Sequence, residues 1–396
     1  MKTIYLDNAA ATPIDQRVQK EVNRGMKIYG NPSSFNDSGR KAANELTKAR
    51  LKIARFLGAH PEEIIFTGSG SEANNISIFG VTKTVKKSKA SNSKPHIITS
   101  RIEHLSVFEP IKQLGGYGFD VTYLSVDKEG LIKLEELQNS LRMETVLVAI
   151  MYANNEVGTI EPIIKIGKII KDFKTKNRNL KTRNYPLFHV DACQAAGSLN
   201  MNVNSLNVDL LTFNGSKIGG PRGMGVLYVR RGTNLEPFVL GGGQEKGLRA
   251  GTENLSAILG LARAVELVNK KDLVKMENLR DYFMDRLKEI LPEIKINGPV
   301  RESRLPNNIN ISIPELDSEN LLLELDKYGI SAGSGSACTS RSVEPSHVLK
   351  AIGVDKRYLS GALRFSMGRQ TTKKDLDYVL KVLPRIVSDL KKRYWK

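Results

Sequence analysis

The 396-residue chain contains only two cysteines, Cys193 and Cys338, and one tryptophan. So few cysteines in a chain of this length exclude a disulfide framework and favour a reducing compartment. The sequence also lacks an apolar run of membrane-spanning length, and Asp7 interrupts the N-terminus before the apolar segment of a signal peptide can form. We therefore expect a cytoplasmic protein with no membrane association, in which either thiol is available for chemistry.

Acidic residues are scarce relative to basic ones, since 42 Asp and Glu face 60 Lys and Arg, for a formal net charge of +18. Such a charge attracts nucleic acid or an acidic protein partner over long range. Much of the excess, however, lies in lysine-rich polar stretches at 83–94 and 171–183, which are typical of solvated loops or helix faces. Because no aromatic residues alternate with the basic ones, we do not expect direct binding of nucleic acid.

Short β-rich runs alternate with amphipathic helical stretches, which predicts an α/β fold with a mostly parallel sheet covered by helices. The length favours two domains, and we expect a large domain at 15–256 and a smaller α+β domain formed by 1–14 and 257–396. Strands are predicted at 64–67, 97–99, 146–152, 187–190, 210–213, 225–229 and 309–313. One long helix is predicted at 257–290, another at 318–328, and a final strand and helix after Ala362.

The segment 66–75 reads FTGSGSEANN, a strand that runs into small residues and then into a helix. Backbone N–H groups at such a helix start form an anion site, suited to a phosphate near Gly70 and Ser71. The alternative is a simple Gly-Ser turn in which Ser71 caps the helix.

The segment 188–194 reads FHVDACQ and places Asp191 directly after a buried strand. An unpaired carboxylate there would be costly, so Asp191 needs a partner. A protonated ring nitrogen is one possibility, and capping of a helix at 192–196 is the other.

The segment 214–223 reads NGSKIGGPRG and places Lys217 just past the next strand, among small residues that allow close approach of a ligand. A lysine in such a site is a candidate Schiff-base former. An exposed loop lysine is the alternative, but an aspartate at a neighbouring strand end favours a shared pyridoxal site.

The segment 334–340 reads SGSACTS, a polar loop of small residues in which Cys338 has little to pack against. This setting favours a nucleophilic thiol over a buried spectator. Cys193, which lies between Asp191 and Gln194 at a strand end, is expected to be structural.

These motifs, in this order, resemble those of the cysteine desulfurases, pyridoxal-phosphate enzymes of the class V aminotransferase fold. The resemblance covers nearly the whole chain and extends to 5–12 (YLDNAAAT), 30–34 (GNPSS), 103–104 (EH), 154–158 (NNEVG), 241–245 (GGGQE), 249–252 (RAGT) and 362–366 (ALRFS). The SGSAC form is similar to the branch of the family whose cysteine lies on a longer, mobile loop.

The resemblance implies a role for each matching residue. Lys217 binds pyridoxal 5′-phosphate as a Schiff base, Asp191 pairs with its ring nitrogen, and His104 stacks on the ring and transfers protons. The other implied contacts are those of Asn155 and Gln194 with the ring hydroxyl, of Gly70, Ser71 and a partner subunit's Thr252 with the phosphate, and of Arg364 and Asn31 with the substrate. Thr252 would come from the second chain of a homodimer.

Two positions depart from the family pattern. The family usually carries His immediately before the lysine and Ser two residues before that His, and both contact the phosphate; here the residues are Ser216 and Asn214. Since Ser and Asn also donate hydrogen bonds, we expect both to bind the cofactor, less tightly than the usual pair.

The resemblance implies conversion of L-cysteine to L-alanine, with the sulfur held as a persulfide on Cys338 and then passed to an acceptor protein for iron–sulfur cluster assembly or tRNA thiolation. One alternative is another enzyme of the same fold, such as a selenocysteine lyase or an aminotransferase of a small amino acid. A second is a noncatalytic partner or RNA-binding module, suggested by the charge and by Asn214 and Ser216.

Overall fold

A computed structural model describes residues 3–87, 94–177, 185–335 and 345–394. The predicted nucleophile Cys338 lies outside these residues, as does most of its loop. In the described part of the chain, no helix is both long and apolar enough to cross a membrane.

The elements within these ranges alternate between strands and helices for most of the chain. The strands are β1 (Ile4–Tyr5), β2 (Ile64–Thr67), β3 (His96–Ser100), β4 (Asp120–Leu124), β5 (Thr145–Met151), β6 (Leu187–Asp191), β7 (Leu210–Asn214), β8 (Gly225–Val229), β9 (Lys295–Ile296), β10 (Asn308–Ser312), β11 (Ile330–Ser331) and β12 (Ala362–Ser366). The α-helices are α1 (Gln16–Met26), α2 (Asp37–Leu57), α3 (Gly70–Lys87), α4 (Leu105–Gly116), α5 (Leu134–Ser140), α6 (Ile163–Lys176), α7 (Val203–Leu206), α8 (Leu255–Glu266), α9 (Lys270–Ile290), α10 (Ser318–Lys327), α11 (His347–Ala351), α12 (Lys356–Leu359) and α13 (Lys373–Tyr394).

Strands β2 to β8 form one sheet in the order β2-β8-β7-β6-β5-β3-β4. Neighbours from β7 to β4 pair in parallel, whereas β8 runs antiparallel to both β2 and β7. The predicted mostly parallel α/β sheet is therefore confirmed.

Helices cover both faces of this sheet, and successive side chains of a strand enter different cores. In β2, for example, Ile64 and Phe66 pack with α2 and α8, while Ile65 packs with α3 and α4. Burial on both faces explains why these strands read as continuous apolar runs in the sequence.

A second core lies between α9, α10, α13 and two smaller sheets. One sheet is antiparallel, in the order β12-β10-β9, and the other pairs β1 with β11 in parallel. The N-terminal strand thus joins elements from the C-terminal third of the chain.

The long helix predicted at 257–290 is wrong in one respect, because it is two helices separated at 267–269. Asn269 adopts an extended conformation and its side chain accepts from Asp272 N, which starts α9 anew. Helix α8 packs against α1 and α2 in the core of the large sheet. The predicted domain boundary at residue 257 therefore falls inside a helix of the large core.

Candidate active site

A cavity of about 470 Å³ opens at the carboxyl ends of the parallel strands, the usual ligand position in such sheets. Nine of the predicted site residues line it: Gly70, Ser71, His104, Asn155, Asp191, Gln194, Asn214, Lys217 and Arg364. The fold thus brings together residues that are up to 294 positions apart in sequence (364 − 70).

Asp191 is the last residue of β6, and only 6% of its surface is exposed. Its Oδ2 accepts from Asn74 Nδ2 at 2.8 Å, and its Oδ1 accepts from Cys193 N at 3.0 Å. Residues 193–198 form turns and not the helix considered from the sequence. The carboxylate therefore caps a turn through one oxygen, and two oxygens with about four acceptor positions still leave room for a ring nitrogen.

Lys217 ends a short 3-10 turn that follows β7. Its side chain turns inward, where Nζ donates to Ala9 O at 2.7 Å and to Ala10 O at 2.5 Å. Gln194 Nε2 donates to the same Ala9 carbonyl at 3.0 Å. Lys217 is thus a cavity residue held by the N-terminal segment, and not an exposed loop lysine.

Arg364 lies on β12 with 2% of its surface exposed. Its Nη2 pairs with Asp7 Oδ1 at 2.8 Å and its Nη1 donates to the Asn155 carbonyl at 3.1 Å. Among the residues that the structure describes, Nε finds no hydrogen-bond partner. A buried cation with an unused donor beside a cavity is suited to an anionic ligand such as a carboxylate.

Helix α3 begins at Gly70, where its first N–H groups border the cavity. The alternative of a cap at Ser71 is not observed, because Glu72 N donates to Ser69 Oγ at 3.0 Å. Ser71 lies in the first turn of the helix and is exposed toward the cavity. This leaves the Ser71 hydroxyl available to an anion at the helix start.

Gly70 packs closely against two side chains of neighbouring loops. A Cβ at this position would lie 2.6 Å from Cys193 Sγ and 3.1 Å from Asn214 Nδ2. The Asn214 amide nitrogen therefore faces the start of α3. Ser216 lies behind it, outside the cavity lining, and its Oγ donates to Asn214 Oδ1 at 3.3 Å.

Thr252 and Asn31 are not brought into this cavity within one chain. Both line a separate depression of about 260 Å³, together with Met26 and Tyr29. These two apolar side chains are 68% and 88% exposed. The roles predicted for Thr252 and Asn31 would require a second chain, and they stay predictions.

Glu103 and Cys193 are among the cavity residues for which the sequence predicted no role in the site. Burial raises the pKa of Glu103 to about 8, so that its carboxyl is mostly neutral at pH 7. Burial and then the charge of Asp191 raise the pKa of the Cys193 thiol well above its usual range. A protonated, buried thiol suits the structural role expected for Cys193. The position of Glu103 next to His104 in the sequence is the feature that could have indicated its place in the cavity.

Comparison with known proteins identifies the family. The Aminotransferase class-V family model matches residues 4–379. The chain is 43% identical to cysteine desulfurase IscS of Dictyoglomus turgidum, over 100% of this chain and 98% of the relative, and 44% identical to cysteine desulfurase 1 of Trichormus variabilis, over 99% and 94%. The chain belongs to the cysteine desulfurase family.

Solved structures agree with this placement of the cysteine desulfurase chain. A NifS-like protein shares 38% identity with a TM-score of 0.89, over 98% of this chain and 100% of the other. A structure of SspA in complex with cysteine shares 33% identity with a TM-score of 0.78, over 93% and 100%. The resemblance inferred from the motifs is confirmed, and with it the pyridoxal-phosphate-dependent transferase fold.

Cysteine desulfurases depend on pyridoxal phosphate, and the cavity fits this cofactor. Asp191 offers a buried carboxylate for the ring nitrogen, Lys217 an amine for the aldehyde, and the start of α3 at Gly70 a set of N–H groups for the phosphate. The volume lies within the range of ordinary cofactor sites.

Proposed function

We propose that the chain converts L-cysteine to L-alanine and collects the sulfur on Cys338 as a persulfide. The observation that carries this proposal is the grouping of Lys217, Asp191 and Arg364 around one cavity. These three side chains match the aldehyde, the ring nitrogen and the carboxylate of a cofactor and amino-acid pair.

We assign the cofactor contacts to residues of the cavity. Lys217 holds the aldehyde carbon, Asp191 the ring nitrogen and His104 the ring face. The remaining contacts are those of Asn155 and Gln194 with the ring hydroxyl and of Gly70, Ser71, Asn214 and Ser216 with the phosphate, Ser216 acting through Asn214. Bound pyridoxal phosphate supplies a ring that takes up electrons when a bond at the substrate Cα breaks.

The side chains of the protein then orient the substrate and move its protons. Arg364 binds the carboxylate of cysteine through its guanidinium group, which lines the cavity. Lys217, once the substrate amine has replaced it at the aldehyde carbon, would be a free amine that takes a proton from Cα and returns it when alanine forms. His104 exchanges protons with the thiols.

The sulfur transfer itself requires the Cys338 thiolate. Its Sγ forms a bond to the substrate sulfur while the substrate Cβ–S bond breaks, and the electron pair of that bond stays with Cβ, which takes up a proton. The sum is one cysteine and one enzyme thiol converted to one alanine and one enzyme persulfide, with atoms and electrons balanced.

The test is incubation of the holoenzyme with L-cysteine and a reductant, with sulfide and alanine measured together. We expect equal amounts of both, loss of turnover in Cys338→Ala, and little change in the matched thiol control Cys193→Ala. Turnover of cysteine by Cys338→Ala would favour an aminotransferase or lyase. A colourless protein, without absorbance at roughly 400 to 430 nm, would favour a noncatalytic module.

We further propose a homodimer in which Thr252 of each chain reaches the phosphate site of the other. The proposal is supported by the exposed Met26 and Tyr29 next to Thr252, because large apolar side chains at one depression favour an interface. Mixing inactive Lys217→Ala chains with inactive Thr252→Asp chains tests it. Heterodimers with one intact site would recover up to about a quarter of the activity; no recovery would place Thr252 in its own chain's site or outside any site.

The domain division is proposed with one change. We assign 15–267 to the large domain and 1–14 with 268–396 to the small one, because the core of the large sheet extends to Leu267 and the second core joins Ile4 and Leu6 to residues from Leu279 onward. We also propose that the persulfide sulfur passes to an acceptor protein for iron–sulfur cluster assembly or tRNA thiolation. The net charge of +18 favours an acidic acceptor, whose sulfur transfer would slow as salt is added.

A further inference from the structure

His104 is the residue that precedes α4, and its ring caps that helix. Nδ1 accepts a hydrogen bond from Ser106 N at 3.1 Å. A backbone N–H can only donate, so Nδ1 carries no proton in this arrangement. The proton of the neutral ring therefore lies on Nε2.

The Ser106 hydroxyl reinforces this choice. Ser106 Oγ lies 2.7 Å from the same Nδ1, which has only a lone pair to offer, so the hydroxyl is the donor. Its oxygen in turn accepts from Asn74 Nδ2 at 2.9 Å. The direction of each hydrogen bond follows from the one before it.

Asn74 is fully buried, and the second hydrogen of its Nδ2 goes to Asp191 Oδ2 at 2.8 Å. Its Oδ1 has no hydrogen-bond partner in the part of the chain that the structure describes. A flipped amide would place Oδ1 against the Asp191 carboxylate, which repels it. The charge of Asp191 therefore fixes the orientation of Asn74.

We propose that Asn74 and Ser106 are positioning residues, which join Asp191 to His104 in one directed chain of hydrogen bonds. The Asp191 carboxyl group accepts from Asn74 and fixes its amide, Asn74 orients the Ser106 hydroxyl toward His104, and His104 is kept as the Nε2–H tautomer. The proposal rests on the ring contacts proposed above for Asp191 and His104. It adds that Asp191, through Asn74 and Ser106, favours the tautomer in which His104 carries its proton on Nε2.

The variant Asn74→Asp replaces the amide donor by a carboxylate acceptor of nearly the same size. The carboxylate that it introduces accepts from the Ser106 hydroxyl, which then no longer donates to His104 Nδ1. The matched control is Asn75→Asp, since Asn75 donates to the Ser71 carbonyl at 2.8 Å and more distantly to the Ser106 carbonyl at 3.5 Å, and not to the Ser106 hydroxyl or the Asp191 carboxylate. A second pair of variants, Ser106→Ala and Ser106→Thr, removes and restores the hydroxyl without adding charge.

The main readout is ¹⁵N NMR of the full-length chain labelled at its five histidines, with and without cofactor, the His104 signals being assigned with His104→Gln. We expect wild type, Asn75→Asp and Ser106→Thr to show an unprotonated Nδ1. In both Ser106→Ala and Asn74→Asp the Nδ1 signal should shift because the hydroxyl donor is lost, while the Ser106 N–H still donates to Nδ1. We also expect kcat to fall about tenfold in both variants, with KM little changed.

Two results would overturn the proposal: a proton on Nδ1 of His104 in the wild type, or NMR signals and kinetics of both Asn74→Asp and Ser106→Ala that match those of Asn75→Asp. If Asn74→Asp does not fold, the comparison of Ser106→Ala with Ser106→Thr tests the proposal. The spectra need no turnover, so absence of desulfuration by the wild type would count against the proposed function alone.

Discussion

Ser216 Oγ donates to Asn214 Oδ1, and this hydrogen bond turns the Asn214 amide nitrogen toward the start of α3. With the phosphate at the proposed position, Ser216, which takes the place of the family's histidine, would act on it through Asn214. Asn214 and Ser216, the two departures from the family pattern, are thus joined by a hydrogen bond.

Ser216→Ala should speed cofactor release several-fold, since loss of one neutral hydrogen bond costs about 1 kcal/mol. Asn214→Ala should have a similar or larger effect, and the double variant should be no worse than Asn214→Ala, because Ser216 acts through Asn214. Dissociation is followed by the decay of visible absorbance after dilution. Additive effects would mean that Ser216 reaches the phosphate independently.

Ser216→His should instead slow cofactor release with turnover little changed at saturating cofactor. A histidine beside a dianionic phosphate is drawn toward its charged form and gives a hydrogen bond roughly twice as strong as a neutral hydroxyl. Faster or unchanged release would show that position 216 cannot direct a side chain at the phosphate. Thr175→Ala, which removes an exposed hydroxyl of α6, serves as the control for hydroxyl loss in general.

Asp191→Asn should keep part of the bound cofactor and lose most of the activity. A neutral amide cannot hold the ring nitrogen protonated, and its NH₂ group opposes either Asn74 Nδ2 or Cys193 N, the two present donors. Cofactor content by absorbance and turnover of cysteine are the two measurements. Normal turnover would mean that Asp191 caps the turn at Cys193 and is not required for the reaction.

Glu103→Gln should change how stability depends on pH. The pKa of Glu103 is raised to about 8, so between pH 5 and pH 8 the unfolded chain has lost a proton that the folded chain retains. The contribution of Glu103 to stability therefore falls as pH rises through this window. The amide oxygen of the variant can accept from Ser100 Oγ and Met151 N as the carboxyl of Glu103 does, without this loss.

We accordingly expect the unfolding temperature of Glu103→Gln, relative to wild type, to increase from pH 5.5 to pH 8. The exposed Glu135→Gln is the control and should track wild type at both values. A constant difference between Glu103→Gln and wild type would mean that Glu103 is ionised in the folded protein.

Glu245→Ala should destabilise the fold by about 3 to 5 kcal/mol, the usual cost of leaving a buried ion pair with one partner. Arg50 contacts Glu245 in a two-pronged pair at 2.6 and 2.9 Å, and Phe66 N donates to the same carboxylate at 2.9 Å. Arg263→Ala, which breaks an exposed pair, should cost about 0 to 1 kcal/mol. Urea titration of both variants measures the difference, and equal losses would contradict the argument.

The strands of the large sheet were predictable because burial on both faces leaves short apolar runs with turn residues after them. Strand β4 was not predicted, since Asp120 to Leu124 form an edge strand whose first four residues are partly or fully exposed and include Asp and Thr. The break after α8 was also missed. The apolar spacing continues through Val268, and only the Asn269 side chain marks the new start.

The same contrast holds in the site. Lys217, Asp191 and His104 were recognised because each belongs to a compact local motif. Asn74 was not, because its role arises from contacts with residues 32 and 117 positions away, which no spacing in the sequence reveals. The contact proposed for Thr252 depends on a second chain, which no motif reveals.

Gly225, the first residue of β8, pairs with Thr67 at the end of β2 and with Asn214 at the end of β7. Neighbouring strands lie about 4.8 Å apart, so two strand widths separate the chain that leads to the phosphate site from the chain that leads to Lys217. A Cβ at 225 would meet the Ser69 carbonyl group at 2.5 Å and displace the turn that joins β2 to α3. The distance between the proposed phosphate position and Lys217 is therefore set by the main chain. Side chains such as Asn214 and Ser216 can be exchanged while the two ends of the cofactor site keep their separation.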